Sequence, residues 1–236
     1  MSYRIALVEY LNTYPFSEGI RLSGLENQNE IHRVPPSLCA QLFEERKVDI
    51  SLCPVGALGD MPDYEICGRY CIGADGEVGT VVLLSHVPIE SISEVRLDDE
   101  SRTSNILLQI LAKNHWKKDW SYSYDNAELQ ESCLMIGDKV FENKNKFPYS
   151  YDLADAWKSM TGLPMVFAVW IMKPGTGRDI INAIDDAFDL GMKSVKNPNS
   201  PLTEWQKDYL LNCISYPLNE RKMEALKLFR SFIGLA

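Results

Sequence analysis

Concentrated positive charge, long apolar runs and histidine are all scarce in this chain. Its 236 residues include 24 Lys or Arg against 33 Asp or Glu, a net charge of −9, and the cations are scattered. A nucleic-acid-binding face needs a basic cluster, so that class is excluded. No apolar window approaches the length needed to span a bilayer. Residues 1–4 lead directly into a strand-like run over 5–10, without a leader-type apolar core or small-residue cleavage site. The expectation is therefore a cytoplasmic protein with no membrane partner. Only three histidines occur, His32, His86 and His115, all far in sequence from the closest cysteine pair, Cys67 and Cys71. No metal set and no cofactor site is expected, and the six cysteines read as reduced core residues.

What is present is an ordinary globular composition, 45% apolar and 24% charged, long enough for one large domain or two lobes. The pattern over residues 1–55 is β-α-β-α-β. Strand-like runs at 4–9, 31–34 and 48–53 alternate with helical segments at 19–22 and 38–46. Pro15 is expected to block helix at Tyr14, and Ser37 to cap the helix opened by Pro35 and Pro36. Such an order predicts a parallel sheet with right-handed crossovers and a ligand site outside the carboxyl ends of its strands. Asn12, Ser37 and Val55 fall at or just after those ends. Further strand-like runs follow at 64–72, 79–85, 120–124 and 133–136, with a short helix after Gly137 and Asp138. Residues 142–146 read as a loop, and a helix ends at Gly162. The run M-V-F-A-V-W-I-M (165–172) suits a fully buried strand. After residue 174 the pattern is helical over 179–193, 202–213 and 220–233.

This order predicts an α/β fold of two lobes, each a mixed, mostly parallel sheet flanked by helices, with a C-terminal helical tail on the first lobe. The expected division is residues 1–84 plus 173–236 against 85–172, with the chain crossing between lobes along 81–85 and 165–172. The ligand cleft is expected between the lobes.

One stretch, L-D-D-E-S-R-T-S-N-I-L-L-Q-I-L-A-K (97–113), carries the strongest chemical signal. An apolar stripe at Ile106, Leu107, Ile110 and Leu111 marks one helical face. Ser101, Arg102, Thr103 and Ser104 precede it without a Glu or Gln that would close a capping box. An uncapped helix start with spare hydroxyls and an arginine suits a carboxylate or phosphate. The acidic run 98–100 before it reads as a solvated turn. An acidic chain with an anionic ligand must build its positive potential locally in this way.

Seven segments in register resemble one family: Y-L-N-T-Y-P-F (10–16), P-S-L-C-A-Q-L-F-E (36–44), V-D-I-S-L-C-P-V (48–55), G-E-V-G-T-V-V-L-L-S (76–85), S-R-T-S (101–104), I-G-D (136–138) and T-G-L-P-M-V-F-A-V-W (161–170). Together they look like chorismate dehydratase of the futalosine route to menaquinone. The resemblance covers about residues 3–172. It implies the two-lobed periplasmic-binding-protein type II fold, and a hydro-lyase that converts chorismate to 3-(1-carboxyvinyloxy)benzoate without a cofactor.

That substrate carries two carboxylates. The start at Ser101, Arg102, Thr103 and Ser104 would take one; Ser37, or the backbone at Gly79 and Thr80, would take the other. Elimination removes the C3 proton and the C4 hydroxyl through an enolate-like transition state. No histidine falls at a strand's carboxyl end. Asn12 therefore becomes the catalytic candidate, positioning the substrate's own enolpyruvyl carboxylate as base. Asp138, Asp152 and Glu77 are weaker candidates, and Trp157 and Trp170 read as core. The sister enzyme 1,4-dihydroxy-6-naphthoate synthase would call for a cleft histidine. A solute-binding protein for an aromatic acid would call for export, and a regulatory domain for a DNA-binding segment before the first strand.

Overall fold

The structure, a computed structural model, describes residues 2–124 and 131–234. Eleven strands form within them: β1 (Arg4–Val8), β2 (Glu30–Val34), β3 (Ile50–Pro54), β4 (Glu65–Ala74), β5 (Val81–Ser85), β6 (Glu94–Arg96), β7 (Ser121–Ser123), β8 (Ser132–Ile136), β9 (Tyr149–Asp152), β10 (Met165–Met172) and β11 (Ser215–Pro217). They build a six-stranded sheet of order β11-β4-β10-β3-β1-β2 and a five-stranded sheet of order β7-β6-β8-β5-β9. Both sheets are mixed. Parallel pairing joins β2, β1 and β3 in the first and β7, β6 and β8 in the second, while β10 and β5 run antiparallel to both of their neighbours.

Eight α-helices flank them: α1 (Tyr14–Ser23), α2 (Pro36–Glu44), α3 (Arg102–Leu111), α4 (Lys139–Asn143), α5 (Leu153–Thr161), α6 (Arg178–Lys196), α7 (Glu204–Asp208) and α8 (Glu220–Phe232). The local signals that place them are mostly those in the sequence. Gly162 ends α5 in the left-handed conformation, and Asn219 caps α8 through the Lys222 N–H. Pro15 does not block helix as expected. It sits in the first turn of α1, where its missing N–H has no intrahelical partner to lose.

The two runs expected to carry the chain between lobes each belong to a single sheet. Strand β10 lies between β4 and β3 with all eight residues buried, and β5 lies between β8 and β9. The passages are instead the segment between β4 and β5 and helix α5. The expected boundaries at 84/85 and 172/173 shift accordingly. Strands β9 and β11 are additions to the expected pattern, and the tail is not confined to the first sheet. Phe229 and Phe232 of α8 meet Trp157 of α5 edge-on, and Trp205 of α7 packs on Phe141 in α4, the helix that follows β8 of the second sheet.

The first sheet is tied at the end away from the cleft by Asp49. Its carboxylate accepts the Arg4 backbone N–H (3.0 Å), the Arg4 guanidinium (2.7 and 3.2 Å) and the Lys173 ammonium (3.0 Å), joining the starts of β1 and β3 to the end of β10. Burial pushes this carboxyl up, but Arg4 and Lys173 outweigh it and hold it well below the ordinary aspartate range. A carboxyl lowered in the folded state stabilises fully above its unfolded value and loses that contribution as pH falls through the folded one. Asp49→Asn is therefore expected to lower the urea midpoint at neutral pH, with the gap to native protein narrowing below about pH 4. A gap independent of pH would show that the ion pairs are not its source.

Candidate functional site

Between the two sheets lies a pocket with a cavity volume of about 70 Å³, open to solvent at its mouth. Its first wall comes from the carboxyl ends of β1 and β3 and from the middle of β10: Val8, Tyr10, Asn12, Thr13, Leu52, Pro54, Phe167 and Ala168. Its second wall is Ser101, Thr103 and Ser104 at the start of α3, with Ile136 at the end of β8 and Gly137 after it; Val78, Thr80 and Val81 close it at the passage between sheets. The largely apolar lining with a few hydroxyls suits a small organic ligand. Among the described residues no Asp, Glu, Lys, Arg or His lines it.

Asn12 sits in a 3₁₀ turn, residues 11–13, directly after β1. Thr13 anchors the turn, its hydroxyl donating to the Val8 carbonyl at 2.6 Å and accepting the Tyr10 N–H at 3.3 Å. From the tail, the Tyr216 hydroxyl donates to the Asn12 carbonyl at 2.9 Å. The backbone is thus fixed on both sides. The Asn12 carboxamide oxygen is nevertheless buried with no hydrogen-bond partner. Buried polar groups are almost always paired, so an unpaired carbonyl oxygen on a pocket wall is a candidate acceptor for a ligand.

The start of α3 is capped, against expectation. The Ser101 hydroxyl accepts the Ser104 N–H at 3.1 Å and donates to the Ser104 hydroxyl at 2.7 Å. Ser104 keeps its own hydroxyl proton to give. Thr103 spans the cleft: its hydroxyl accepts the Gly56 N–H at 3.0 Å and donates to the Phe167 carbonyl at 3.3 Å. Apart from the Ser104 N–H taken by that cap, the first backbone N–H groups of the helix have no intrahelical acceptor by geometry.

Five of the expected site residues, Asn12, Thr80, Ser101, Thr103 and Ser104, come together on this pocket; five do not. Arg102 turns outward to an ion pair with Asp60. Ser37 is exposed and caps nothing, the cap position being Pro35, while its neighbour Pro36 reaches the pocket. Val55 is fully buried behind Pro54. The Gly79 N–H is already given to Asp152 at 2.7 Å, beside that of Val78 at 3.0 Å. Asp152 also caps α5 through Ala154 and Asp155, and burial raises its carboxyl to about 6 against those four N–H groups. Asp138 is exposed at the rim, where burial raises and the Leu11 N–H lowers its carboxyl.

The other weak candidates fall outside as well. Glu77 is exposed, His86 stacks on Phe147, His115 on Trp116, and His32 faces Glu30. Asp98 is not solvated: it is buried and paired with Lys139 at 2.7 Å. Five of the six cysteines are buried and all are unpaired, with burial pushing the Cys39 and Cys67 thiols up to about 12. No three His, Cys, Asp or Glu side chains among the described residues form a group able to hold a metal, and no described helix is long and apolar enough to cross a membrane.

Contacts that the sequence did not announce hold the walls together. The Tyr10 hydroxyl crosses the mouth to Glu100 at 2.8 Å, and Lys139 bridges Glu100 and Asp98. Gly56 lies against the α3 start so closely that a Cβ there would fall 2.8 Å from the Thr103 Cα. Its φ is not left-handed, so alanine is acceptable to its own backbone and clashes only across the cleft. Gly56→Ala is expected to hold the walls apart, enlarging the radius of gyration by small-angle scattering, while the melting temperature stays nearly native. An unchanged radius would mean that closure does not run through this contact.

Two mixed sheets closing on an uncharged, hydroxyl-lined pocket define a two-lobed protein of the periplasmic-binding-protein architecture. The chain belongs to the menaquinone biosynthesis family, which it matches over residues 3–234. It is similar to the chorismate dehydratase of Thermus thermophilus, 26% identical over 275 residues, which cover 99% of this chain and 96% of the relative. Among solved structures it is similar to a protein of Archaeoglobus fulgidus, with TM-score 0.74, 14% identity, and 99% and 97% of the two chains covered. The alkanesulfonate-binding protein of Xanthomonas axonopodis pv. citri, bound to MOPS, matches with TM-score 0.65, 14% identity, and 100% and 94% covered.

Proposed function

We propose that this protein is a chorismate dehydratase, a carbon–oxygen lyase that forms 3-(1-carboxyvinyloxy)benzoate for menaquinone by the futalosine route in the cytoplasm. The observation that carries this reading is the orphaned Asn12 oxygen facing the hydroxyl-rich start of α3 across one pocket. The family match and the named Thermus relative support the substrate.

In this reading the ring carboxylate lies against the α3 start, taking the Ser104 hydroxyl and the free N–H groups. Fixed donors there stabilise charge that spreads into the carboxylate as the C3 proton leaves, without reorganisation during the step. The Asn12 carboxamide accepts from the C4 hydroxyl and holds the enolpyruvyl carboxylate next to the C3 proton. That carboxylate is the base, taking the C3 proton and then passing it to the C4 hydroxyl, which leaves as water; this agrees with a pocket wall free, among the described residues, of Asp, Glu and His. Apolar residues such as Leu52, Ile72 and Phe167 exclude water from the ring. Loss of water creates an aromatic ring, so the product's own stability drives the reaction and no cofactor is invoked.

Incubation of purified protein with chorismate, followed by mass and ultraviolet analysis, tests the proposal. The expected result is loss of one water and an aromatic absorption band. A saturable thermal shift with unchanged chorismate would favour the second reading, a binding protein, for which the sulfonate-binding relative's fold speaks.

A further inference from the structure

We propose that Tyr209, delivered from the helical tail, is a positioning residue that fixes the Thr80 hydroxyl as a proton donor into the pocket. The inference deepens the reading above and rests on it for the identity of the ligand.

Tyr209 opens a π-helical segment, residues 209–213, that continues α7, and its ring packs edge-on against Phe141 with centroids 5.7 Å apart. Its hydroxyl lies 2.7 Å from the Thr80 hydroxyl, and that is the only hydrogen-bond partner it has among the described residues. Both residues are sealed from solvent, Tyr209 at 5% and Thr80 at 1% exposure. Either oxygen can donate in such a pair. If Thr80 donated, the phenol proton would be buried with no acceptor and away from the pocket lining; in the opposite arrangement the proton left over is that of Thr80, which lines the pocket, where a ligand can accept it. Tyr209 therefore donates and Thr80 accepts. The phenol keeps this proton, because burial pushes its ionisation upward.

The Thr80 hydroxyl then has a proton of its own and no protein acceptor among the described residues, and the side chain lines the pocket. Its backbone cannot swing away, since the Thr80 carbonyl accepts the Gly137 N–H at 2.9 Å. The opposite wall repeats the device. Ser101 donates to Ser104, which leaves the Ser104 proton directed inward. Two hydroxyls, each forced to donate by a neighbour behind it, face a pocket that no cation lines among the described residues. That arrangement selects a ligand with two anionic acceptors.

The test is a kinetic double-mutant cycle with chorismate, joined to neutron diffraction of the deuterium-exchanged native protein. Tyr209→Phe is expected to raise KM about fivefold with kcat nearly unchanged, and to have no further effect when added to Thr80→Val. Tyr209→Phe keeps the ring packing, so a merely structural role would give additive effects in the two backgrounds, and additivity would overturn the proposal. The neutron map is expected to place the Tyr209 deuteron on the line to the Thr80 oxygen; a deuteron running from Thr80 to Tyr209 would overturn it. Native protein inert towards chorismate would sink the proposed reaction alone, and the neutron map would still decide the donor.

Discussion

Asn12→Ala is expected to lower kcat for chorismate about a hundredfold or more, the range seen when one preorganised group at a developing charge is removed. The same substitution is expected to leave the melting temperature unchanged or higher. The two effects have one cause. A buried carbonyl oxygen without a partner destabilises the folded protein by about 1–3 kcal/mol, and Asn12 carries such an oxygen on the pocket wall. Alanine removes the orphan and with it the group that the ligand would satisfy. The turn itself stays, because Thr13 and Tyr216 hold its backbone rather than the Asn12 side chain. Asn12→Asp, of the same shape, would set a third negative charge beside a dianion and is expected to weaken binding as well. A near-native kcat in the alanine variant would remove Asn12 from the mechanism.

The second large effect concerns stability. Helices α1 and α6 touch backbone to backbone at Gly19 and Gly191, where an added Cβ would overlap the Ala187 and Pro15 carbonyl oxygens respectively. Alanine is the better helix former by about 1 kcal/mol, so an exposed glycine at either place would gain from the exchange. Here the neighbour is main chain and cannot rotate away. Forcing helices apart in a packed core costs about 1–3 kcal/mol and more when backbone must move, so the clash wins. Gly191→Ala is expected to lower the calorimetric melting temperature sharply, and an unchanged or raised value would mean that α1 and α6 separate at little cost. The loss should not be confined to the tail, since Phe16 of α1 packs on Trp170 in β10 and on Phe188 in α6.

The sequence made the buried strands legible because their signals are local: short apolar runs ended by Pro or Gly, and the continuous apolar run of β10. Strands β9 and β11 were not legible. Tyr149–Asp152 is too polar to stand out, and Ser215–Pro217 is three residues with a proline, so each is a strand only through its neighbour, β5 or β4. The site divides in the same way. Ser101, Thr103 and Ser104 announce themselves by type and position. Arg102 and Gly79 looked equally suitable, and remote partners withdraw them: Asp60 for the guanidinium and Asp152, 73 residues on, for the N–H. Tyr209 lies 129 residues from Thr80, and no periodicity or motif links the two. None of the three histidines lines the pocket: His32 lies in β2 beside Glu30, His86 against Phe147 and His115 against Trp116.

The uncharged pocket wall sets how the protein should respond to ionic strength. Sites that hold anions with lysine and arginine attract them from a distance and weaken as salt is added. Here the molecule carries a net charge of −9 and offers a dianion no cation on the pocket wall. Added salt shortens the Debye length to about 10 Å at 0.1 M and so screens a repulsion rather than an attraction. Capture of the substrate should quicken with salt, while its escape, governed by short contacts to hydroxyls and N–H groups inside the closed cleft, stays nearly constant.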